Sequence, residues 1–224
     1  MIIKGFNIKE LNLKYFVGIN QIKMNLSKFL DFYDINNEEE ALNQFFNIID
    51  KIQNKNENSV IQFISDKYIL NQDHVFTACY YTQKAFLQNI NISNKKNIEL
   101  LLYLATNRQI NRSIEAFGID YYQFKNNKLT YCIISPFENI NSISYELLTA
   151  LNAEETELII DNQSHTKINL IKEFFEISDN QINSVLRSYG IIMKKSEFNI
   201  QSLTSALFDL ICERMALLNV EKQK

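Results

Sequence analysis

The sequence predicts an α/β chain of the α+β type, in which several helices cover a small, mainly antiparallel sheet and the C-terminal helix lies at an interface. Only four Gly and one Pro occur in 224 residues, so few residues interrupt long helices. Short β-rich runs occur near the start and in the middle, and helices follow one another in pairs instead of alternating regularly with strands. An apolar content of 46% is enough for a core, and the length suits a single domain over residues 1–224.

The first third of the chain combines two strands with one helix. Residues 1–6 have the pattern of a short strand, and the alternation at Val17 and Ile19 permits a second. Asn37 is followed by three glutamates, which is typical of a helix start, and apolar residues then recur at helical spacing as far as a polar run from Gln53. We expect this helix to cover the sheet.

The next part begins with β-rich residues and continues with two helices. Residues 60–64 and 68–70 are rich in residues that favour strands. Asp73 is a suitable N-cap for a helix that runs to about residue 88. Residues 98–105 predict a short, strongly apolar helix.

A further helix start is predicted at Thr106. The Thr106 hydroxyl would accept from the backbone N–H of Gln109, and the Gln109 side chain would reach back, as in a capping box. In the helix that follows, Ile110, Ile114 and Phe117 recur at one face and should point to the core.

The C-terminal half contains one strong strand signal and four helices. Residues 129–135 are β-rich and end at Pro136. Residues 158–160 permit another short strand. The predicted helices lie near residues 143–151, 167–175, 179–189 and 200–220.

The composition also predicts a soluble, cytoplasmic protein with no membrane partner. No stretch approaches the roughly 20 uninterrupted apolar residues of a membrane span, and the start has no long apolar region before a cleavage site. Cys79, Cys132 and Cys212 lie far apart among apolar neighbours, as reduced core cysteines do.

Charge is segregated along the chain although the net charge is only −3. Residues 1–28 and 81–128 each carry a net charge of +4, whereas residues 129–161 contain six acids and no base. A chain with acidic bulk cannot coat a long nucleic acid by charge alone, because that affinity grows with the number of phosphates neutralised. A local basic site is compatible with this pattern.

The two histidines give little support for catalysis. His74 and Cys79 are five residues apart on one predicted helix, so they point about 140° apart and cannot form a nucleophile–base pair within it. The sequence has no GxxxxGK[ST], GxGxxG, GxSxG, HExxH or CxxC motif. We therefore expect no catalytic residues and no cofactor.

An acidic cluster is the one candidate for a metal site. Its members are Glu154, Glu155, Glu157 and Asp161, but their spacing resembles no EF-hand loop and no Gly supplies a sharp turn. A solvated acidic face is the preferred interpretation, and no metal is expected.

Basic residues suggest an anion-binding surface. Arg108 and Arg112 stand one turn apart near a helix N-terminus, where free N–H groups and a guanidinium suit a phosphate or a carboxylate. A salt bridge from Arg108 to an acid such as Glu99 is the alternative.

Further residues of this surface are expected on the preceding helix and connector. Lys84 with Tyr80 and Tyr81, together with Lys95 and Lys96, would add charge and stacking surface for an unpaired nucleic-acid end.

The last helix has an unusually wide apolar arc. On a helical wheel the arc spans about 200°, whereas a surface helix needs a stripe of about 100°. Either another partner covers the excess, or the helix is fully internal. Arg214 lies inside the arc and requires a carboxylate or carbonyl partner. The apolar members are Leu203, Ala206, Leu207, Phe208, Leu210, Ile211, Met215, Leu217 and Leu218.

Four runs of residues together resemble a known family. The sequence resembles the kinase-binding subunit family of the KEOPS complex, most closely its archaeal members. The runs are Met1-Ile2-Ile3-Lys4-Gly5, His74-Val75-Phe76-Thr77-Ala78, Ile98-Glu99-Leu100-Leu101-Leu102 followed by Arg108-Gln109-Ile110 and Ile114, and the ending Glu213-Arg214-Met215-Ala216-Leu217-Leu218-Asn219-Val220-Glu221-Lys222.

The resemblance implies a non-catalytic adaptor. Such a subunit docks on an atypical small kinase, meets the other subunits only indirectly, and helps to hold the tRNA 3′ CCA end for threonylcarbamoyladenosine formation. By position it assigns Arg108, Gln109 and Ile110 to the tRNA-end site, which Lys84, Lys95, Lys96 and Arg112 would extend. It assigns the kinase interface to Leu207, Leu210, Ile211, Arg214, Met215 and Leu218.

Two departures from the family pattern accompany the resemblance. Thr106 stands where a small residue, often Gly, is expected, and residues 179–200 form a longer segment than usual. Two alternatives remain beside the adaptor: a homodimeric interaction module unrelated to RNA, and a small cysteine-dependent hydrolase or transferase using Cys79 or His165.

Overall fold

The computed structural model describes residues 1–126, 128–160, 164–191 and 199–221. Its strands are β1 (Ile2–Ile8), β2 (Leu13–Met24), β3 (Val60–Ile64), β4 (Lys128–Ser135) and β5 (Ala153–Thr156). Its α-helices are α1 (Leu26–Tyr33), α2 (Glu38–Lys55), α3 (Gln72–Leu87), α4 (Lys96–Leu104), α5 (Ile110–Phe117), α6 (Tyr121–Lys125), α7 (Ile140–Leu151), α8 (His165–Phe174), α9 (Asp179–Ser188) and α10 (Ile200–Glu221).

The chain divides into two compact units. The sheet unit comprises Met1–Ser65 and Gly118–Ile159, and the helical unit comprises Asp66–Phe117 and Ile160–Lys224. The α+β class is confirmed. A single domain over residues 1–224 stays a prediction.

All strands of the described sheet pair in antiparallel fashion. Their order is β1-β2-β4-β3, and β5 pairs with β2 beyond the end of β1. In this register Gly18 of β2 lies opposite Ile133 of β4. A Cβ on Gly18 would come within 2.4 Å of the Ile140 side chain, so Gly at this position lets α7 approach the sheet.

Helix α2 covers one face of the sheet, as predicted. Asn37 is its N-cap, and the Asn37 side chain accepts from the backbone N–H of Glu40 at 2.8 Å. On the buried side of the helix, the Phe45 ring packs on the ring of Phe63 of β3, with 4.8 Å between the ring centres. The local helix signal and the tertiary packing therefore agree here.

Several predicted elements differ from the structure of the sheet unit. Helices α1 and α6 were not predicted, although α6 has a complete capping box between Asp120 and Gln123. The strand expected at residues 158–160 is absent from the described residues, and the strand is instead Ala153–Thr156, where β5 finds hydrogen-bond partners along β2.

The described part of the helical unit consists of α3, α4, α5, α8, α9 and α10. Residues 68–70 form no strand, because the Ile69 N–H closes a turn onto the carbonyl of Asp66. Asn71, not Asp73, is the N-cap of α3, since the Asn71 side chain accepts from the backbone N–H of His74. Helix α10 packs on α3, α4, α8 and α9. No described helix combines the length and the apolar character needed to span a membrane.

The predicted capping box at Thr106 is wrong. Thr106 has a left-handed backbone with φ of 48°, and its N–H donates to the carbonyl of Tyr103, so Thr106 belongs to the end of α4. Helix α5 begins later, at Ile110. The side chain that accepts from the backbone N–H of Gln109, at 2.8 Å, is that of Asn107.

Candidate functional site

The turn between α4 and α5 presents the candidate anion-binding residues. Arg108 and Gln109 lie in this turn and are exposed, and both precede the first residue of α5, Ile110. The first turn of a helix leaves backbone N–H groups without intrahelical acceptors. Arg108 therefore stands beside the positive end of the α5 dipole. An anion bound there would be attracted both by the guanidinium and by the helix N-terminus.

The salt bridge considered for Arg108 is not formed. Glu99 is fully buried, and its carboxylate accepts from the backbone N–H groups of Ile92 and Ser93 at 3.0 and 2.9 Å. Within the described part of the chain, Arg108 has no ion-pair partner. Its guanidinium is free for another ligand.

Helix α5 turns a different face to the core from the one predicted. Ile110 and Ile114 are 37% and 41% exposed, whereas Ser113, Ala116 and Phe117 are buried. The expectation that both isoleucines point to the core is therefore wrong, and that for Phe117 is confirmed. The two isoleucines stand one turn apart and give α5 an exposed apolar stripe.

Arg112 is less available than Arg108. Its guanidinium lies 3.9 Å from the carboxylate of Glu176, and both side chains are exposed. A pair of this kind is worth at most about 1 kcal/mol, so it does not exclude another anion.

The lysines of the candidate surface form a second group. The Lys84 ammonium lies 5.9 Å from the ring centre of Tyr80 and 6.0 Å from that of Tyr81. Lys96 contacts the Phe86 ring and the Gln83 side chain, and burial lowers its pKa. These are cation–π arrangements in which rings and charges stand together, as surfaces for unpaired bases require.

The lysine and arginine groups lie at opposite ends of α4. Lys95 and Lys96 are at its N-terminus, and Arg108 follows its C-terminus. The helix between them is about 12 Å long. The predicted site is therefore two separate basic patches on the helical unit, and not one cluster.

Most residues assigned to the kinase interface are buried within the helical unit. Arg214 is half-buried, and the apolar members are enclosed by the neighbouring helices. For these side chains, the alternative that the helix is internal describes the structure. Their contact with a partner stays a prediction that none of the observations tests. The buried members are Leu207, Leu210, Ile211, Met215 and Leu218.

The predicted carbonyl partner of Arg214 is confirmed. Its guanidinium donates to the backbone carbonyl of Phe175 and, at 3.3 Å, to that of Glu176. Both acceptors stand at the C-terminal end of α8, so Arg214 ties α10 to α8 and balances the negative end of the α8 dipole.

The accessible apolar surface of α10 lies at its C-terminal end. Leu217 and Val220 are each 53% exposed and stand three residues apart on one face. Leu217 belonged to the predicted arc but not to the assigned interface, and Val220 belonged to neither. The edge of the arc on the helical wheel was the signal that pointed to Leu217.

The residues considered for catalysis are held in structural roles or lie apart. Cys79 is fully buried, whereas His165 is exposed at the start of α8. His74 is also fully buried: its Nδ1 accepts from the backbone N–H of Leu70 at 3.2 Å, and its Nε2 lies 3.1 Å from the carbonyl of Leu104. Burial lowers the pKa of His74 to about 4, so the ring is neutral at physiological pH.

Cys212, the third cysteine, is half-buried on α10, and burial raises its thiol pKa to about 11. A thiol that is protonated at neutral pH is a poor nucleophile.

The acidic cluster is spread along β5 and the residues after it. Glu155 accepts a hydrogen bond from Asn20 at 3.0 Å, while Glu154 and Glu157 are both exposed. Asp161 lies outside the described residues. Among the residues that the structure describes, no group of three acidic, histidine or cysteine side chains could hold a metal ion.

Comparison with models of protein families identifies a match for this chain. A family model described as "Kinase binding protein CGI-121" matches residues 32–219. Residues 1–31 lie outside the match. The long segment noted at 179–200 lies inside it, and there α9 is described whereas residues 192–198 are not. No curated protein matches the chain.

Proposed function

The chain belongs to the CGI-121 family of kinase-binding proteins, and from this membership we propose that it is a non-catalytic adaptor of the KEOPS complex. It binds the atypical small kinase of that complex and helps to recruit tRNA through the 3′ CCA end for threonylcarbamoyladenosine formation. The match over residues 32–219 is the observation that carries this proposal, because it includes both basic patches and α10 as far as residue 219.

The kinase-binding surface is the exposed C-terminal part of α10. Leu217 and Val220 supply apolar side chains that can be buried against a partner, and each buried side chain of this size contributes about 1–2 kcal/mol. The assigned residues Leu207, Leu210, Ile211, Met215 and Leu218 form the packed base beneath this face. Their role is to hold the helix in position, and Arg214 does the same by donating to backbone carbonyls at the C-terminal end of α8.

The tRNA end is bound at the turn between α4 and α5. Arg108 supplies a charge without a protein partner among the described residues, and the α5 N-terminus supplies N–H groups for a phosphate. The exposed Ile110 offers apolar contact to an unstacked base, and Gln109 can donate or accept a hydrogen bond. Lys84, Lys95 and Lys96 form the second patch, which contacts RNA phosphates farther from the end.

Thr106 affects this site through the backbone. The left-handed conformation at this position is one that Gly adopts without strain, which explains why a small residue is expected there. Thr also has a side chain where Gly has none, so it leaves less room for an RNA backbone at this position. Weaker tRNA-end binding than with Gly at this position is part of the proposal.

Three further points belong to the proposal. The protein works without a cofactor, in the cytoplasm, and meets the remaining KEOPS subunits through the kinase. The buried and fully hydrogen-bonded His74 and the buried Cys79 favour a non-catalytic role over a cysteine-dependent hydrolase. The particular likeness to archaeal members stays a prediction.

The test is reconstitution with the atypical kinase from the same genome. Light scattering should show a monomer that becomes a heterodimer when the kinase is added. A homodimer that does not bind the kinase would support the alternative of an RNA-independent interaction module. In a second arm, tRNA with an intact CCA end should bind more tightly than the same tRNA without it, and equal binding would contradict the tRNA part.

A further inference from the structure

Helix α1 of the sheet unit has an aromatic side chain that its own unit does not cover. Phe32 is 72% exposed, whereas Phe29 on the same helix is fully buried in the core. The Phe32 ring packs edge-on against Tyr33 at 4.9 Å, and the Tyr33 hydroxyl donates to the carbonyl of Ala150 at 2.9 Å. Phe32 is therefore held beside an anchored ring, so a partner would bind it at a low cost in side-chain entropy.

A polar cleft adjoins this aromatic pair. It has a volume of about 510 Å³ and is lined by Tyr33 and Ile35 after α1 and by α2 residues that include Glu39, Glu40 and Asn43. The lining residues comprise two carboxylates, several amides and no base. Carboxylate and amide oxygens accept hydrogen bonds from ammonium and guanidinium groups.

The charge around the aromatic pair has one dominant sign. From Lys28 to Glu40 the sequence contains five acids and a single base. Asp31 and Asp34, on either side of Phe32 in the sequence, are both exposed. The C-terminal end of α1, where Asp34 is the C-cap, adds the negative end of a helix dipole. The potential here repels phosphates and attracts cationic groups.

We infer that Phe32, Tyr33 and the adjoining acidic cleft form a docking surface for a short basic segment of a partner protein that also carries an apolar residue. The apolar residue packs on Phe32, and a lysine or arginine enters the cleft beside Glu39 and Glu40. Charge complementarity identifies the occupant as a basic segment, because the carboxylates would repel the phosphates of a nucleic acid. The surface belongs to the sheet unit, and the inference does not depend on the proposed kinase and tRNA sites, which lie in the helical unit.

The experiment uses the full chain and two labelled synthetic peptides. Both contain serine and one central leucine, and they differ only in carrying lysines or glutamates. In fluorescence polarisation the basic peptide should bind, and the acidic peptide should not. Phe32→Ser should weaken binding about tenfold, since a partly buried ring is lost. Glu39→Gln combined with Glu40→Gln should weaken it about fivefold, since two exposed charge pairs are lost.

Matched controls separate this surface from a general charge effect. Phe137→Ser removes another exposed aromatic ring, and Glu57→Gln removes another exposed acid, and both should leave binding unchanged. The inference is overturned if the basic peptide does not bind at about millimolar concentration, if both peptides bind equally, or if the controls weaken binding as much as the variants. Self-association of the chain that is lost in Phe32→Ser would assign the surface to a second copy and would also overturn it.

Discussion

The Nε2 atom of His74, at the start of α3, lies 3.1 Å from the backbone carbonyl of Leu104, at the end of α4. Because Nδ1 of the same ring accepts from the backbone N–H of Leu70, Nε2 carries the proton and donates to Leu104. In a protonated ring Nδ1 would carry a hydrogen and could not accept from the Leu70 N–H, so this arrangement requires neutral histidine. Through these backbone atoms the His74 ring connects the start of α3 to the end of α4 in the helical unit.

The first prediction concerns pH. The pKa of His74 is lowered to about 4 in the folded chain from an ordinary value of 6.5, so the unfolded chain binds the extra proton first as the pH falls. The contribution of His74 to the free energy of unfolding is fully present above pH 6.5. It is lost as the pH falls from 6.5 to about 4, and the total loss from this group is about 3 kcal/mol. Urea unfolding across this range should show the loss, and His74→Gln should reduce it. Parallel curves for both proteins would contradict the prediction.

The second prediction concerns the strained turn before α5. A β-branched residue in the left-handed region costs about 1–2 kcal/mol, and Thr106 has φ of 48°. Thr106→Gly should stabilise the chain by about 1 kcal/mol, because relief of strain exceeds the entropy that Gly adds to the unfolded chain. Thermal unfolding measures the effect. Thr106→Ala is the control, since Ala keeps a Cβ, and an equal gain with Ala would show that strain is not the cause.

The third prediction separates the two proposed functions. Arg108→Glu should weaken tRNA binding about tenfold and leave kinase binding unchanged. It should also reduce, by about one, the slope of the logarithm of the tRNA binding constant against the logarithm of the salt concentration. Arg187→Glu reverses another exposed charge of the helical unit and should have a smaller effect on tRNA. Filter binding at several salt concentrations provides the measurement. If both variants behave alike, the tRNA is held by general charge and not by the turn.

The fourth prediction distinguishes the base of α10 from its exposed end. Ile211 is fully buried, so Ile211→Asp should destabilise the helical unit by about 4 kcal/mol or more through a buried charge. Leu217→Asp should change stability by less than about 1 kcal/mol, because its side chain is half in solvent. Chemical unfolding monitored by circular dichroism compares the two. Equal losses would mean that Leu217 is part of the core.

Local sequence signals predicted local structure well in this chain. Asn37 caps α2 as its sequence indicates, and Arg214, placed by the wheel inside an apolar arc, has the carbonyl partners that its charge requires. The cap at Asn37 and the need of Arg214 for a polar partner both follow from chemistry within one helix. Which element supplies the carbonyls for Arg214 does not follow from it, and in the structure they come from the C-terminal end of α8.

The predictions that failed depend on longer-range packing. Spacing alone indicated that Ile110 and Ile114 share a face, and they do, but it could not tell which face α5 turns to the core. The capping box at Thr106 matched the motif, yet α4 extends into this turn and fixes Thr106 in a left-handed conformation. The width of the α10 arc is explained by four neighbouring helices, which no wheel can show.

The most direct test of the adaptor account is calorimetric titration of the atypical kinase into the chain. Wild type should bind, and Leu217→Asp combined with Val220→Asp should lower the affinity at least about a hundredfold, because two exposed apolar contacts are replaced by charges. Ser205→Asp, which adds a charge at an exposed position nearer the start of α10, is the matched control and should bind like wild type. Wild-type affinity in the folded double variant would contradict the α10 interface, and no binding by the folded wild type would contradict the adaptor itself.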